Sequence, residues 1–197
     1  MKYDPLDDFS SSEFTSDGTT RTVFRRGSGP AVIVIHEVPG ITPMVARFCR
    51  WVVDAGFTVF APSLLGTPGR PPTVPYVIAS LGQACIAREF HVLARHRSSP
   101  ITVWLRALAR HAHEEVGGPG VSAIGMCLTG NFALSMVLEP AVIAPVLSQP
   151  SLPLGPWRGQ REAVHASPEE LAAVRRRGRE EGLCVLGLRF TRDPTCT

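Results

Sequence analysis

The sequence predicts an α/β protein: a mostly parallel sheet with helices on both faces. Three observations predict it. Segments with strand character alternate with segments of helical periodicity, the order a parallel sheet demands because each crossover needs a helix. The run Ala31-Val32-Ile33-Val34-Ile35 is continuously apolar and mostly β-branched, as a strand buried on both faces should be. Glycine and proline punctuate the junctions between these segments. The chain, 1–197, reads as one domain. Residues 1–30 form an N-terminal extension and hairpin, and 31–197 a parallel α/β core.

The elements follow in order. Glu13 to Arg26 carries the turn pair Asp17-Gly18 between two short runs and reads as a hairpin. The strand 31–35 ends at His36-Glu37-Val38-Pro39-Gly40, a turn by composition. Met44, Phe48, Trp51, Val52 and Ala55 fall at helical spacing, and Gly56 is a stop. Phe57 to Ala61 is the next strand, closed by Pro62. Ser63 to Pro75 is a long Gly- and Pro-rich loop, and such loops in compact domains often bind substrate. Ile78 to Arg97 is weakly helical. Ile101, Leu105, Leu108 and Ala112 mark an amphipathic helix that ends before Gly117-Gly118-Pro119-Gly120. Val121 to Gly125 is a strand, Leu128 to Leu138 a helix stopped by Pro140, and Ala141 to Leu147 a strand. Ser148 to Gly159 is an irregular excursion with three prolines. Ser167-Pro168-Glu169-Glu170 is a helix start, with Ser as cap, Pro at the first position and Glu three residues after the cap. Leu183 to Phe190 is the last strand.

Composition narrows the function classes. A net charge of +3 on scattered basic residues gives no footprint for nucleic acid. The local cluster Arg175, Arg176, Arg177 and Arg179 reads as a solvated helix face. No apolar run approaches the ~18 residues of a membrane-spanning helix, and Met1 to Ser12 lacks the basic and apolar regions of a secretory signal. The five cysteines are widely spaced and odd in number, with no CxxC pair. That argues against a disulfide framework and a zinc site, and for a reducing, cytoplasmic setting. Neither a metal nor a cofactor is implied.

Three reactive side chains follow strands directly: Glu37 after 31–35, Cys127 after 121–125, and Asp193 after 183–190. In open sheets of this class, sites lie beyond the carboxyl ends of the strands, so the architecture gathers three side chains that are distant in sequence. Gly125-Met126-Cys127-Leu128-Thr129-Gly130 approximates the strand-to-helix elbow written G-x-S-x-G. Cys stands at the nucleophile position, and Thr129 occupies the usual second glycine. The turn puts Cys127 at a helix start, where the dipole favours a thiolate and backbone N–H groups can hold an oxyanion. His36 reads as a residue packed at its strand end.

These motifs resemble the dienelactone hydrolase family, a cysteine branch of the α/β-hydrolases. The matching segments are His36-Glu37-Val38-Pro39-Gly40, Gly125-Met126-Cys127-Leu128-Thr129-Gly130 and Arg189-Phe190-Thr191-Arg192-Asp193. The resemblance implies an α/β-hydrolase fold and hydrolysis of small-molecule esters or lactones, cyclic enol-lactones in particular. It implies Cys127 as nucleophile, Glu37 as the residue that helps activate the thiol by accepting its proton or exchanging partners with it, and the backbone N–H groups of Leu128 and Val38 as oxyanion hole. Asp193 matches the acid that orients a histidine. Arg88 is the candidate for holding an anionic substrate.

The sequence departs from the family after Asp193. In this fold the triad histidine follows the acid, yet only Pro194, Thr195, Cys196 and Thr197 do. His91, His96, His111 and His113 precede the elbow, and His165 lies between elbow and acid. The last strand and helix of the fold are missing. Either the chain is a truncated form of a longer protein, or it is a short form that has lost its base. Both lead to weak or absent activity for these residues alone, since losing a triad member costs several orders of magnitude. Both also leave 183–190 as an exposed sheet edge. A ligand-binding or redox-sensing role for the same cleft is the alternative.

Overall fold

The computed structural model describes residues 1–86, 99–150 and 166–191. They form a seven-stranded sheet in the order β1-β2-β4-β3-β5-β6-β7. β1 (Ser10–Ser16) and β2 (Thr19–Arg26) make the expected hairpin about Asp17-Gly18, which begins at Ser10 rather than at Glu13. β2 runs antiparallel to β4 (Thr58–Pro62), and from there to the far edge the sheet is parallel: β3 (Ala31–Ile35), β5 (Val121–Met126), β6 (Val142–Ser148) and β7 (Leu186–Leu188).

β3 lies at the centre, and all five of its residues are buried. Its side chains alternate between two cores. Ala31, Ile33 and Ile35 pack with Trp104, Leu105, Leu108 and Phe132, whereas Val32 and Val34 pack with Val45, Ala46 and Cys49. The first set comes from α3 (Pro100–Val116) and α4 (Gly130–Ser135), the second from α1 (Pro43–Asp54). Helices thus cover both faces, which is why this strand is apolar throughout rather than alternating.

Capping accounts for several boundaries. α1 starts at Thr42, whose hydroxyl accepts from the Val45 N–H, with Pro43 in the first turn. It stops at Gly56, which takes a left-handed φ of 92°. α3 begins at Ser99, which accepts from the Thr102 N–H. α5 (Pro168–Glu180) has the capping box read from sequence: Ser167 accepts from the Glu170 N–H and Glu170 from the Ser167 N–H.

Four expectations change. α2 spans Val74–Ile86, so it starts earlier than the sequence suggests and shortens the preceding loop; the rest of the expected helix, 87–97, lies outside the described residues. The expected helix 128–138 is three pieces: a 3-10 turn Cys127–Thr129, the six-residue α4, and a 3-10 turn Met136–Leu138. Gly130 and Asn131 are weak helix formers, and side chains take over carbonyls at the far end. Arg106 Nε donates to Ser135 O at 3.0 Å, and Arg177 Nη1 to Val137 O at 2.9 Å. The strand expected at 183–190 contracts to Leu186–Leu188, whose three residues are exposed. Finally, Arg177 is not on a solvated face. It is buried, and its guanidinium donates to the carbonyls of Val137, Glu139, Pro140 and Val142.

The N-terminal residues are also less polar in effect than in composition. Leu6 and Phe9 are buried against the α1 side of the sheet. Arg50 of α1 reaches both Asp4 and Asp8; the Arg50 guanidinium holds the Asp4 carboxyl below its ordinary pKa. Among the described residues no helix is long and apolar enough to cross a membrane.

Candidate active site at the ends of β3 and β5

β3 and β5 are neighbours, with Ile35 paired to Gly125. Glu37 and Cys127 each stand two residues beyond that pair, so the parallel register brings the two turns side by side at the carboxyl edge of the sheet. This is the juxtaposition the sequence anticipates for these two residues.

The elbow is built by steric necessity. Cys127 has a φ of 53°, a left-handed conformation that costs a non-glycine residue roughly 1–2 kcal/mol and is found where a fold forces a side chain outward. Gly125 makes the return of the chain feasible. A Cβ there would lie 2.4 Å from Thr129 O and 2.9 Å from Gly130 Cα, both backbone atoms. Gly130 is equally confined, because a Cβ would come within 2.7 Å of Pro150 Cβ. The result is a cysteine partly exposed at the turn, between two glycines whose surroundings leave no room for a Cβ.

Thr129, where a second glycine is usual, is fully buried. Its hydroxyl lies 3.0 Å from both Ile35 O and His36 O, 2.9 Å from Met126 O, and accepts from the Met126 N–H at 3.1 Å. The side chain therefore bridges the elbow to the last residues of β3. A sequence search for the elbow treats this position only as one that must be small. The signal for its bridging role was that a hydroxyl, rather than Gly or Ala, stands there.

His36 is buried, and the network fixes its tautomer. Backbone N–H groups can only donate, and those of Leu64 and Leu65 point at Nε2, at 2.9 and 3.3 Å. Nε2 is thus the acceptor, and Nδ1 carries the proton it donates to Glu37 O at 2.8 Å. Burial pushes the imidazole pKa down to about 4. His36 is a packed, neutral strand-end residue that ties the 36–40 turn to the loop after β4. Tyr76 of α2 holds that loop in turn, its hydroxyl accepting from the Thr67 N–H at 2.6 Å. Gly40 closes against it, since a Cβ would sit 2.6 Å from Leu65 O.

Glu37 is half-buried, and burial raises its carboxyl pKa. Val38 follows it, half-buried, with a cis bond to Pro39. Leu128 is half-buried, its side chain packed on the α3 and α4 core. Arg88 and Asp193 lie outside the described residues, as do His91, His96 and His165. Among the described residues no group of three His, Cys, Asp or Glu side chains could hold a metal ion. Cys49, by contrast, is buried in the α1 core, and burial pushes its thiol pKa up to about 12, which makes it inert.

Comparison with known proteins agrees with this architecture. Residues 20–153 match the model of the dienelactone hydrolase family. A carboxymethylenebutenolidase from a Pseudomonas species is 29% identical over 115 residues, which cover 58% of this chain and 47% of the relative. The chain spans about half the length of that curated relative. Among solved structures, a Klebsiella pneumoniae protein assigned to the dienelactone hydrolases superposes with a TM-score of 0.55 at 16% identity, covering 93% of this chain and 86% of its own. A dienelactone hydrolase-like promiscuous phosphotriesterase from metagenomic libraries superposes with a TM-score of 0.51 at 18% identity, covering 91% and 80%. At these identities the two structures speak to the fold, which is that of the α/β-hydrolases.

Proposed function

The chain belongs to the dienelactone hydrolase family, and from that premise we propose that it acts on small carboxylic esters or lactones with Cys127 as nucleophile. The observation that supports this most directly is the left-handed Cys127 on a glycine-lined turn, beside the turn that carries Glu37. In this reading the Cys127 Sγ attacks the carbonyl carbon while Glu37 takes the thiol proton. Burial of Glu37 favours this exchange, because a raised carboxyl pKa makes the carboxylate a better proton acceptor. The N–H groups of Leu128 and Val38 hold the oxyanion; its collapse breaks the ester carbon–oxygen bond, the leaving alkoxide takes the proton from Glu37, and water then cleaves the thioester to the acid and the free Cys127 thiol. Asp193 keeps its role as the acid that orients a histidine, and Arg88 its role toward an anionic substrate. The thiol chemistry belongs in a reducing, cytoplasmic setting.

Among the described residues no histidine is placed to serve Cys127 as a general base. Among the described residues the histidines are His36, His111 and His113. Nε2 of His36 is committed to two amides. His111 and His113 sit near the end of α3, which leads into the start of β5, at the sheet edge opposite Cys127. Hydrolysis of p-nitrophenyl acetate and of a cyclic enol-lactone tests the proposal. A slow rate lost in Cys127→Ala and reduced in Glu37→Gln is expected. A rate unchanged by Cys127→Ala refutes the nucleophile, and leaves ligand binding or redox sensing at the same cleft as the reading to pursue.

A further inference from the structure

We infer that Thr129 is a positioning residue: its hydroxyl fixes the Cys127 turn relative to the Glu37 turn. The inference rests on the reading of Cys127 as nucleophile and Glu37 as its proton acceptor.

The two turns belong to different strands, and the β3–β5 ladder ends at Ile35 and Gly125. Beyond that pair, sheet hydrogen bonds no longer hold Glu37 and Cys127 in register. Thr129 spans this gap. Its Oγ1 reaches Ile35 O and His36 O at 3.0 Å on one side, and Met126 O at 2.9 Å and the Met126 N–H at 3.1 Å on the other. The residues it grips immediately precede Glu37 and Cys127 in the chain. A hydroxyl has one proton and two lone pairs, so it can accept from Met126 while sharing its proton among the carbonyls; a glycine at this position offers none of this. The side chain is fully buried, so bulk water does not compete for these contacts. The half-buried Leu128 lies between Met126 and Thr129 in the chain, within the turn that the Thr129–Met126 contacts close.

A purely structural threonine and a positioning one differ in whether they alter the dependence of Cys127 on Glu37. The test is the rate of Cys127 alkylation by iodoacetamide between pH 5 and 9, followed on the Cys127 peptide by mass spectrometry. It compares the wild type, Thr129→Ser and Thr129→Val, each with and without Glu37→Gln, with folding checked by urea unfolding. In the wild type and Thr129→Ser, Glu37→Gln is expected to slow alkylation about ten-fold near neutral pH; in Thr129→Val the same change is expected to have less than about a two-fold effect. Should Thr129→Val not fold, Thr129→Ala carries the same comparison, since it places no methyl against the carbonyls. If the full Glu37 effect persists in a folded variant without the hydroxyl, or if Thr129→Ser behaves like Thr129→Val, the positioning role is refuted while the proton-acceptor reading stands. If Glu37→Gln has no effect in the wild type, the proton-acceptor reading fails and the role of Thr129 falls with it.

Discussion

Replacing His36 with glutamine should flatten the acid side of the stability profile. The folded imidazole has its pKa lowered from 6.5 to about 4 by burial, and Nε2 faces two amide donors that a second ring proton would oppose. Above pH 6.5 the ring is neutral in both folded and unfolded chains. As pH falls from 6.5 to about 4 the unfolded chain takes up a proton that the folded one refuses, so stability is lost throughout that interval. Below about 4 the folded ring titrates too, and the loss from this group ends. The displacement corresponds to about 3 kcal/mol, a large share of the 5–15 kcal/mol typical of a domain. Glutamine can present an oxygen to the Leu64 and Leu65 amides and does not titrate. Urea unfolding at half-unit steps from pH 4 to 8 should therefore show the wild type losing about 3 kcal/mol more than His36→Gln between pH 7 and 4. Asp4 and Glu37 titrate in both proteins and cancel in the difference. Parallel profiles for the two proteins would refute the tautomer and the burial argument together.

Two further substitutions probe how the elbow is built. Gly125→Ala places a Cβ against Thr129 O and Gly130 Cα; since neither backbone atom can swing aside, a destabilisation of about 2–3 kcal/mol is expected in urea unfolding, and an unchanged midpoint would argue against so tight a turn. Arg177→Met keeps the aliphatic stem but strips buried carbonyls of Val137, Glu139, Pro140 and Val142 of their donor. It should cost about 3 kcal/mol, with Arg177→Lys recovering part of it, and equal stability of all three proteins would show that the carbonyls find other partners.

Local chemistry explains what the sequence made legible. β3 could be bounded to the residue because a buried parallel strand has one composition, and because a Pro-Gly turn closes it. The hairpin follows from Asp17-Gly18, and α5 from a capping box whose two hydrogen bonds join residues three apart. The placement of Glu37 and Cys127 at one edge follows from topology alone. By contrast, the breakup of 127–138 depends on Arg106 and Arg177, which come from α3 and α5, and no window on the segment itself contains them. Arg177 was misjudged for a related reason. Four arginines within five positions look like a solvated face, but a helix turns 100° per residue, so one of them can point inward while its neighbours do not. Thr129 passed as a mere small residue because its partners, Ile35 and His36, lie more than ninety positions away.

These long-range contacts also answer how so short a helix can hold Cys127 in a strained conformation. α4 has six residues, and isolated helices need about 12–15 to be even marginal in water. Its own hydrogen bonds cannot fix the Cys127 turn, so tertiary contacts must. They act at both ends: Thr129 ties the first turn to β3, and Arg106 and Arg177 take carbonyls at the far end. Arg106 is itself held by buried Glu170, the residue that caps α5. The capping box thus has a second use, since the carboxylate that starts α5 also orients the arginine that supports α4. Loosening α5 should consequently be felt at Cys127 before the central strands are disturbed, because β3 and β5 draw their own stability from both faces of the sheet.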